Sequence, residues 1–350
     1  MKRYEKHILL EEIGLEGQNK ISQAKVLVIG AGGLGCPVLQ YLTAAGVGMI
    51  GIVDVDTICL SNLQRQILYT EKEVGKLKVE VAKKHLESLN STIKINTYPV
   101  ILSENNALDL ISQYDIIVDC TDNFRSRYII NDACVMSGKV FVFAAIYKFE
   151  GQLSVFNFRG GTTYRCLFPN PPKEAEVPNC NQVGVLGVLA GIMGIYQANE
   201  VLKILLNHGN ILSGQLLTVN LLSQKQTILF FEKDEKKITE IRSKKSIEPI
   251  DLNDCIVNQV ISLEKIKNPK SFYWVDVREE DEEPKINSSL VHTIPLSKFL
   301  HHKQNIPNKE NTILFCGSGV RSLKALTYLK NAKSLEEGAS QLKEYLEKYE

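Results

Sequence analysis

This chain lacks the features that would tie it to an anionic partner or to a membrane. Lys and Arg (41) nearly cancel Asp and Glu (40), leaving a formal charge of +1. That balance argues against nucleic acid or an acidic membrane surface as the main partner. No run reaches the ~18 consecutive apolar residues of a transmembrane helix. The nearest, VGVLGVLAGIMGIYQA, falls short of span length, is rich in small residues and reads as a buried helix. The first residues, MKRYEKHILLEEIG, are too charged for a secretory signal, so a cytoplasmic location is expected. There is no internal repeat and no low-complexity tract. The 8 cysteines include no C-x-x-C pair, so no ready-made zinc site is visible. Without a secretion signal they are expected to be reduced thiols. Cys36, Cys59, Cys120, Cys134 and Cys255 lie in apolar or element-like contexts and read as small buried hydrophobes.

What is present is an α/β pattern. A chain of 350 residues, 44% apolar, is long enough for two or three domains with a sizeable core. AKVLVIGAGG reads as a strand entering a turn, GLGCPVLQYLTAAGV as a helix, MIGIVDVDTI as a strand and KVEVAKKHLESLN as a helix. The alternation continues through YDIIVDCTDN and RSRYIINDACVMSG, and GQLLTVNLLSQKQTILFFEK reads as a closing hairpin. This predicts a Rossmann-like, doubly wound, mostly parallel sheet over residues 1–232. The charged stretch that follows, 233–258, reads as a linker. Residues 259–350 hold a second, smaller α/β cycle, with FYWVDVRE and TILFCGSGVRS as strands and ASQLKEYLEKY as a helix.

The turn GAGGLG places Gly30, Gly32, Gly33 and Gly35 between a strand and a helix, where glycines permit close backbone approach to a phosphate and the helix start favours its charge. Asp54 ends the second strand, the position of an acidic residue that binds ribose hydroxyls, and Asp56 follows it. Alone, this pattern suits a nicotinamide or flavin enzyme. Asn62, Arg65, Gln66 and Lys78 change the balance. Two cations and an amide at the carboxyl edge of a sheet suit a triphosphate better than a single pyrophosphate. Asp122, after another buried strand, is a carboxylate that can hold Mg²⁺ against phosphate oxygens.

The blocks GAGGLG, DVDTICLSNLQRQ, GKLKVEVA and DCTDNFRSRYIINDAC resemble the MoeB/ThiF adenylyltransferases, relatives of ubiquitin-activating enzymes, over about residues 3–232. The resemblance implies Mg·ATP-dependent adenylation of the C-terminal Gly-Gly carboxylate of a small ubiquitin-like sulfur carrier, by a homodimer. It places Gly32 and Asp54 beside the adenosine ribose and phosphates, Arg65, Lys78 and Asn62 on the phosphates, and Asp122 on the metal. It leaves open whether the carrier serves thiamin, molybdopterin or tRNA thiolation. Two departures stand out. Lys6 replaces an arginine that in the family reaches the partner subunit's ATP, and Thr163 stands where a zinc-binding cysteine would pair with Cys166. No structural zinc is therefore expected.

Two cysteines remain. Cys180, in the loop EVPNCNQVG before a small-residue helix, sits where ThiF-like and eukaryotic relatives form a covalent link to the carrier, while in other relatives the cysteine is dispensable. Cys316 opens CGSGVRS between a strand and a helix, and it reads as an exposed thiol. Successive N–H groups, the helix start and Arg321 would stabilise a thiolate or persulfide there. This loop, with WVDVRE upstream, resembles rhodanese domains, which carry sulfane sulfur on that cysteine. The usual Gly-His-Ile-x-Gly-Ala segment is replaced by NSSLVHTIPL. The sulfur donor would be thiosulfate or a cysteine desulfurase. Two rival readings are an NAD-dependent oxidoreductase, which SNLQRQ and Asp122 disfavour, and a non-catalytic module that binds a ubiquitin-like protein, which needs neither the glycine turn nor the cations.

Overall fold

Strand and helix alternate from the start of the chain because the apolar residues change period. In a computed structural model, residues 2–172, 184–249, 260–266, 268–280, 282–306, 311–317, 319–326, 328–329 and 332–349 are described. Contacts divide the chain into two units, Met1–Leu252 and Asn253–Glu350.

In the first unit, short helices α1 (Glu5–Ile8) and α2 (Gly14–Gln23) lead into β1 (Lys25–Ile29), α3 (Gly35–Ala45), β2 (Met49–Val53), α4 (Lys78–Leu89) and β3 (Lys94–Tyr98). Then come α5 (Ala107–Ser112), β4 (Ile116–Asp119), α6 (Phe124–Ser137), β5 (Val140–Tyr147) and β6 (Glu150–Phe156). The unit closes with α7 (Tyr164–Leu167), α8 (Gly187–Leu206), β7 (Gln215–Asn220), β8 (Lys225–Phe230) and α9 (Glu235–Ser243). The 8-stranded sheet runs β3-β2-β1-β4-β5-β6-β7-β8. It is parallel from β3 to β5 and antiparallel from β5 to β8.

β1 reads as an unbroken apolar run because it is covered on both faces. Val26 and Val28 point into one layer with Leu39, Leu42, Leu189 and Met193. Leu27 and Ile29 point into the other with Ile117, Ile129 and Phe141. That alternation is the two-residue period of a strand, and it makes the sheet doubly wound. The strand order reverses between β1 and β4, and ligands of open α/β sheets bind at the carboxyl ends of the strands flanking such a reversal.

Three expectations change. Cys59, read as a small buried hydrophobe, is exposed, because it caps the short turn Leu60–Asn62 beyond β2. The small-residue helix does not fall short of span length: α8 has 20 residues and is long and apolar enough to cross a membrane by length and composition. Its inner face is nonetheless spent on the core, with Leu189, Ala190, Met193, Gln197 and Val201 buried. The charged stretch taken as a linker contains α9, capped by the Asp234 side chain accepting the Lys237 N–H. Ile238 and Ile241 of α9 pack with Val135 of α6, an amphipathic pattern hidden among the lysines and glutamates.

The second unit has β9 (Val260–Ile261), β10 (Tyr273–Asp276), β11 (Val291–Thr293), α10 (Phe299–His302), β12 (Thr312–Phe315), α11 (Val320–Leu326), β13 (Lys333–Leu335) and α12 (Ala339–Leu346). Its 5-stranded sheet, β11-β10-β12-β13-β9, is parallel throughout. Val275 and Leu314 pack on one face with Phe299 and Ala325. Trp274, Ile313 and Phe315 pack on the other with Leu342 and Leu346.

Candidate active site

The first site forms where β1, β2 and β4 end. Gly30 leaves β1 at φ +97°, and a Cβ there would lie 2.6 Å from the Cys120 carbonyl oxygen. Gly35 begins α3, and a Cβ there would lie 2.1 Å from Gly30 O. Only glycine fits either position. The turn is then fixed from outside. Ala31 N–H donates to Asp54 Oδ2 at 2.8 Å, and the Tyr69 hydroxyl donates to Ala31 O at 2.8 Å. Asp54 Oδ1 takes the Asp56 N–H at 2.8 Å, so one carboxylate orders both the glycine turn and the segment after β2. Burial raises the Asp54 carboxyl above its ordinary value, and Lys78 pulls it back.

The segment after β2 returns across the turn. Arg65 lies against Gly33, where a Cβ would meet its Cγ at 3.3 Å, and Gln66 lies against Gly32, where a Cβ would stand 3.6 Å from its Nε2. Asn62 shapes this return: its Oδ1 takes the Cys59 N–H at 3.3 Å, and its carbonyl takes the N–H groups of Arg65 and Gln66 at 3.0 Å. Arg65 Nη1 donates to Ser61 O at 3.1 Å. Lys78 opens α4 and reaches Asp56 Oδ2 at 2.8 Å. Gly30, Gly32, Gly33, Gly35, Asp54, Asp56, Asn62, Arg65, Gln66 and Lys78 are thus joined in one site. Gln66 is buried, and its Oε1 has no hydrogen-bond partner among the described residues. A buried acceptor left open beside the glycine turn fits a ligand carrying N–H or O–H donors, as a nucleoside does.

Asp122 stands exposed just past β4. Behind it, Asp119 is fully buried: its Oδ1 takes the Thr121 N–H at 3.0 Å and the Thr121 hydroxyl at 2.7 Å, while Oδ2 has no partner among the described residues. Burial raises its carboxyl above the ordinary range, with Arg127 opposing. Gln197 of α8 ties this corner to the sheet, donating to Asp119 O at 2.7 Å and Val142 O at 3.3 Å. Tyr69, Asp119, Thr121 and Gln197 escaped the reading of the sequence because their roles depend on partners distant in sequence. Only the DCTDN block hinted at the second and third. Lys6 is exposed on α1 and makes no hydrogen bond or ion pair among the described residues. Cys180 lies outside the described residues.

The second site is in the C-terminal unit. Cys316 follows β12 directly but is not exposed: it is 1% accessible and packs in the core with Val275 and Leu314. A strand buried on both faces carries its first loop residue inward with it. The Ser322 hydroxyl lies 3.7 Å from Cys316 Sγ and accepts from Ser334 at 2.8 Å. Arg321 does not stand free beside the thiol either. Its guanidinium forms a two-pronged pair with Glu282, and a Cβ on Gly317 would meet Nη2 at 3.8 Å. Deeper, Arg278 forks onto Asp276 at 2.7–3.1 Å.

A doubly wound sheet with a glycine turn, a carboxylate and two cations at its switch point has the architecture of a nucleotide-binding α/β protein. Comparison narrows this. Residues 4–239 match the ThiF family. The adenylyltransferase and sulfurtransferase MOCS3 of Aedes aegypti is 52% identical over 215 residues, covering 61% of this chain and 49% of that protein. The chain thus spans about half the length of that relative. The sulfur carrier protein adenylyltransferase of Thermus thermophilus is 49% identical over 220 residues, 61% of this chain and 81% of its own. The probable adenylyltransferase/sulfurtransferase MoeZ of Mycobacterium tuberculosis is 36% identical over 345 residues, 94% of this chain and 88% of its own. E. coli MccB shares the fold, with a TM-score of 0.60 and 22% identity over 70% of this chain and 73% of its own. The chain belongs to the ThiF family.

Proposed function

We propose that this chain adenylates the C-terminal Gly-Gly carboxylate of a small ubiquitin-like sulfur carrier with ATP, releasing pyrophosphate, and that a Cys316 persulfide then attacks the acyl-adenylate and displaces AMP. A second thiol, that of Cys180 or of a thiol reductant, attacks the Cys316 sulfur of the resulting acyl disulfide, forms a disulfide with it and releases the carrier thiocarboxylate. The observation that supports the first step is that Arg65 and Gln66 lie against the glycine turn, Asp54 takes the Ala31 N–H, Lys78 joins the same site through Asp56, and the Gln66 acceptor is left open. A carboxylate is already ionised near neutral pH, so the site needs no general base. It has to offset repulsion between two anions and align the attack on the α-phosphorus. Lys78 carries three donors and can keep Asp56 while offering the others to phosphate. Arg65 brings a planar fork suited to phosphate oxygens.

Magnesium belongs to the same reading. Asp122 offers an exposed oxygen donor beyond β4, and Mg²⁺ bound with ATP takes one or two carboxylates plus phosphate oxygens. Bound there, the ion would neutralise phosphate charge. A structural zinc is not part of the proposal, because Thr163 stands in place of the cysteine that would pair with Cys166; the Cys166 Sγ instead takes the N–H groups of Thr163 and Asp234 and lies beside the Thr163 hydroxyl, each at 3.3 Å. A tightly bound zinc in metal analysis would overturn that. The exposed Lys6 on the N-terminal arm supports a homodimer in which it serves the partner's nucleotide. Free cysteines throughout the described residues support a reducing, cytoplasmic setting.

The second step is supported by Cys316 at the end of a parallel strand, with Ser322 beside its sulfur and Arg321 against the loop. The test of the first step is exchange of labelled pyrophosphate into ATP. It should depend on a carrier ending in Gly-Gly and vanish when the terminal glycine is removed. Binding of NADH without such exchange would favour an oxidoreductase instead.

A further inference from the structure

The guanidinium beside the Cys316 loop is already held by a carboxylate. Just past β10 the chain reads Arg-Glu-Glu-Asp-Glu-Glu-Pro over 278–284. Glu282 is not a loose surface group in this run. Its N–H donates to Glu279 O at 3.2 Å, and its Oε1 takes the Glu279 N–H at 2.9 Å, so the turn holds its own carboxylate. Arg278 anchors the way out, donating to Pro284 O at 2.9 Å while locked on Asp276. The carboxylate so placed takes Arg321 in a fork, Nη1 on Oε1 and Nη2 on Oε2. Arg321 and Glu282 therefore cancel beside the loop, and Arg278 and Asp276 cancel each other at the end of β10. The Arg321 hydrogen bond holds the Glu282 carboxyl down to about 2, so the pair is ionised across the physiological range.

We propose that Glu282 is a specificity residue of the Cys316 loop: it occupies the guanidinium that a dianionic sulfur donor would need, and so selects an alkyl persulfide over thiosulfate. The proposal rests on the sulfurtransferase reading above. A dianion approaching a thiol that is 1% accessible must leave water, and it loses heavily unless a cation replaces that hydration. An alkyl persulfide brings one charge at most to the reacting end. In the transfer, the Cys316 thiolate attacks the outer sulfur of R–S–SH. The S–S bond breaks, the donor leaves as the thiolate R–S⁻, and Cys316 keeps the sulfane sulfur as a persulfide. With thiosulfate the same attack would release sulfite. Neither route needs an added oxidant or reductant.

The experiment uses the full chain, native and with Glu282→Gln or Glu282→Asp. It measures kcat/KM for persulfide formation on Cys316 from thiosulfate and from cysteine persulfide. The native chain should prefer cysteine persulfide. E282Q should raise the thiosulfate-to-persulfide ratio about tenfold, the scale of one charge-assisted hydrogen bond, and the rise should shrink with added salt. E282D, which keeps the charge, should stay near the native ratio. The proposal is overturned if E282Q leaves the ratio unchanged, or if the native chain loads thiosulfate as readily as the persulfide, a comparison that needs no variant. If neither donor loads Cys316 in the native chain or in E282Q, the sulfurtransferase reading itself fails and the proposal with it.

Discussion

Lys78 Nζ lies 2.8 Å from Asp56 Oδ2, with the lysine side chain 6% accessible and the carboxylate 65%. The cation expected on a phosphate is thus buried along its stem and aimed by a partner that reaches into solvent. Asp56 limits where the ammonium can point.

That geometry makes Lys78→Met a sharp test. Losing a cation aimed at developing charge lowers kcat/KM for carrier-dependent pyrophosphate exchange about 100-fold. The α4 apolar face (Val79, Ala82, Leu86) is untouched, so the melting temperature should move little by comparison. Exchange at the native rate in K78M would remove the lysine from the chemistry.

The glycine turn yields a stability prediction. In Gly35→Ala the new methyl would sit 2.1 Å from Gly30 O, a backbone atom that cannot swing aside. Overpacking of this kind costs about 3 kcal/mol. Thermal melting should show a clear drop, and ATP should no longer protect the protein against it. A G35A protein that melts as the native chain does would mean that α3 starts elsewhere.

Asp119 gives a pH signature. Burial raises its carboxyl above the ordinary 3.8, so it favours the folded state when protonated. That contribution is full below 3.8 and is lost as pH rises through the higher folded value. Asp119→Asn cannot titrate and keeps an oxygen for the Thr121 donors. The melting temperature of D119N relative to the native chain should therefore climb as pH rises above the ordinary 3.8. A difference that stays flat, or falls, would show that Arg127 outweighs burial.

Much of this was legible in the sequence because the relevant signals are local. GAGGLG, the Asp54 strand end, SNLQRQ and the Lys78 helix start each sit within one turn and its neighbours, and the structure brings them together. What the sequence hid is what depends on distant partners. Glu282 meets Arg321 from another strand end, Tyr69 reaches back to Ala31, and Gln197 crosses from α8 to two strands. The same limit explains the reading of Cys316 as exposed. A glycine-rich loop looks like surface, but the strand before it is buried on both faces and takes the cysteine inward. In α9, the two isoleucines that bind it to α6 are outnumbered by charges, so its composition read as a linker.

The central claim is that one chain both activates a carrier and supplies its sulfur. Intact-mass spectrometry of a Gly-Gly-ending carrier, incubated with the chain, ATP, Mg²⁺, cysteine persulfide and a thiol reductant, is the measurement that checks it. The native chain should convert the carrier to its thiocarboxylate, with no conversion when ATP is omitted and none with Cys316→Ala. A thiocarboxylate formed by C316A at the native rate, or a carrier left unmodified by the native chain, would contradict the account.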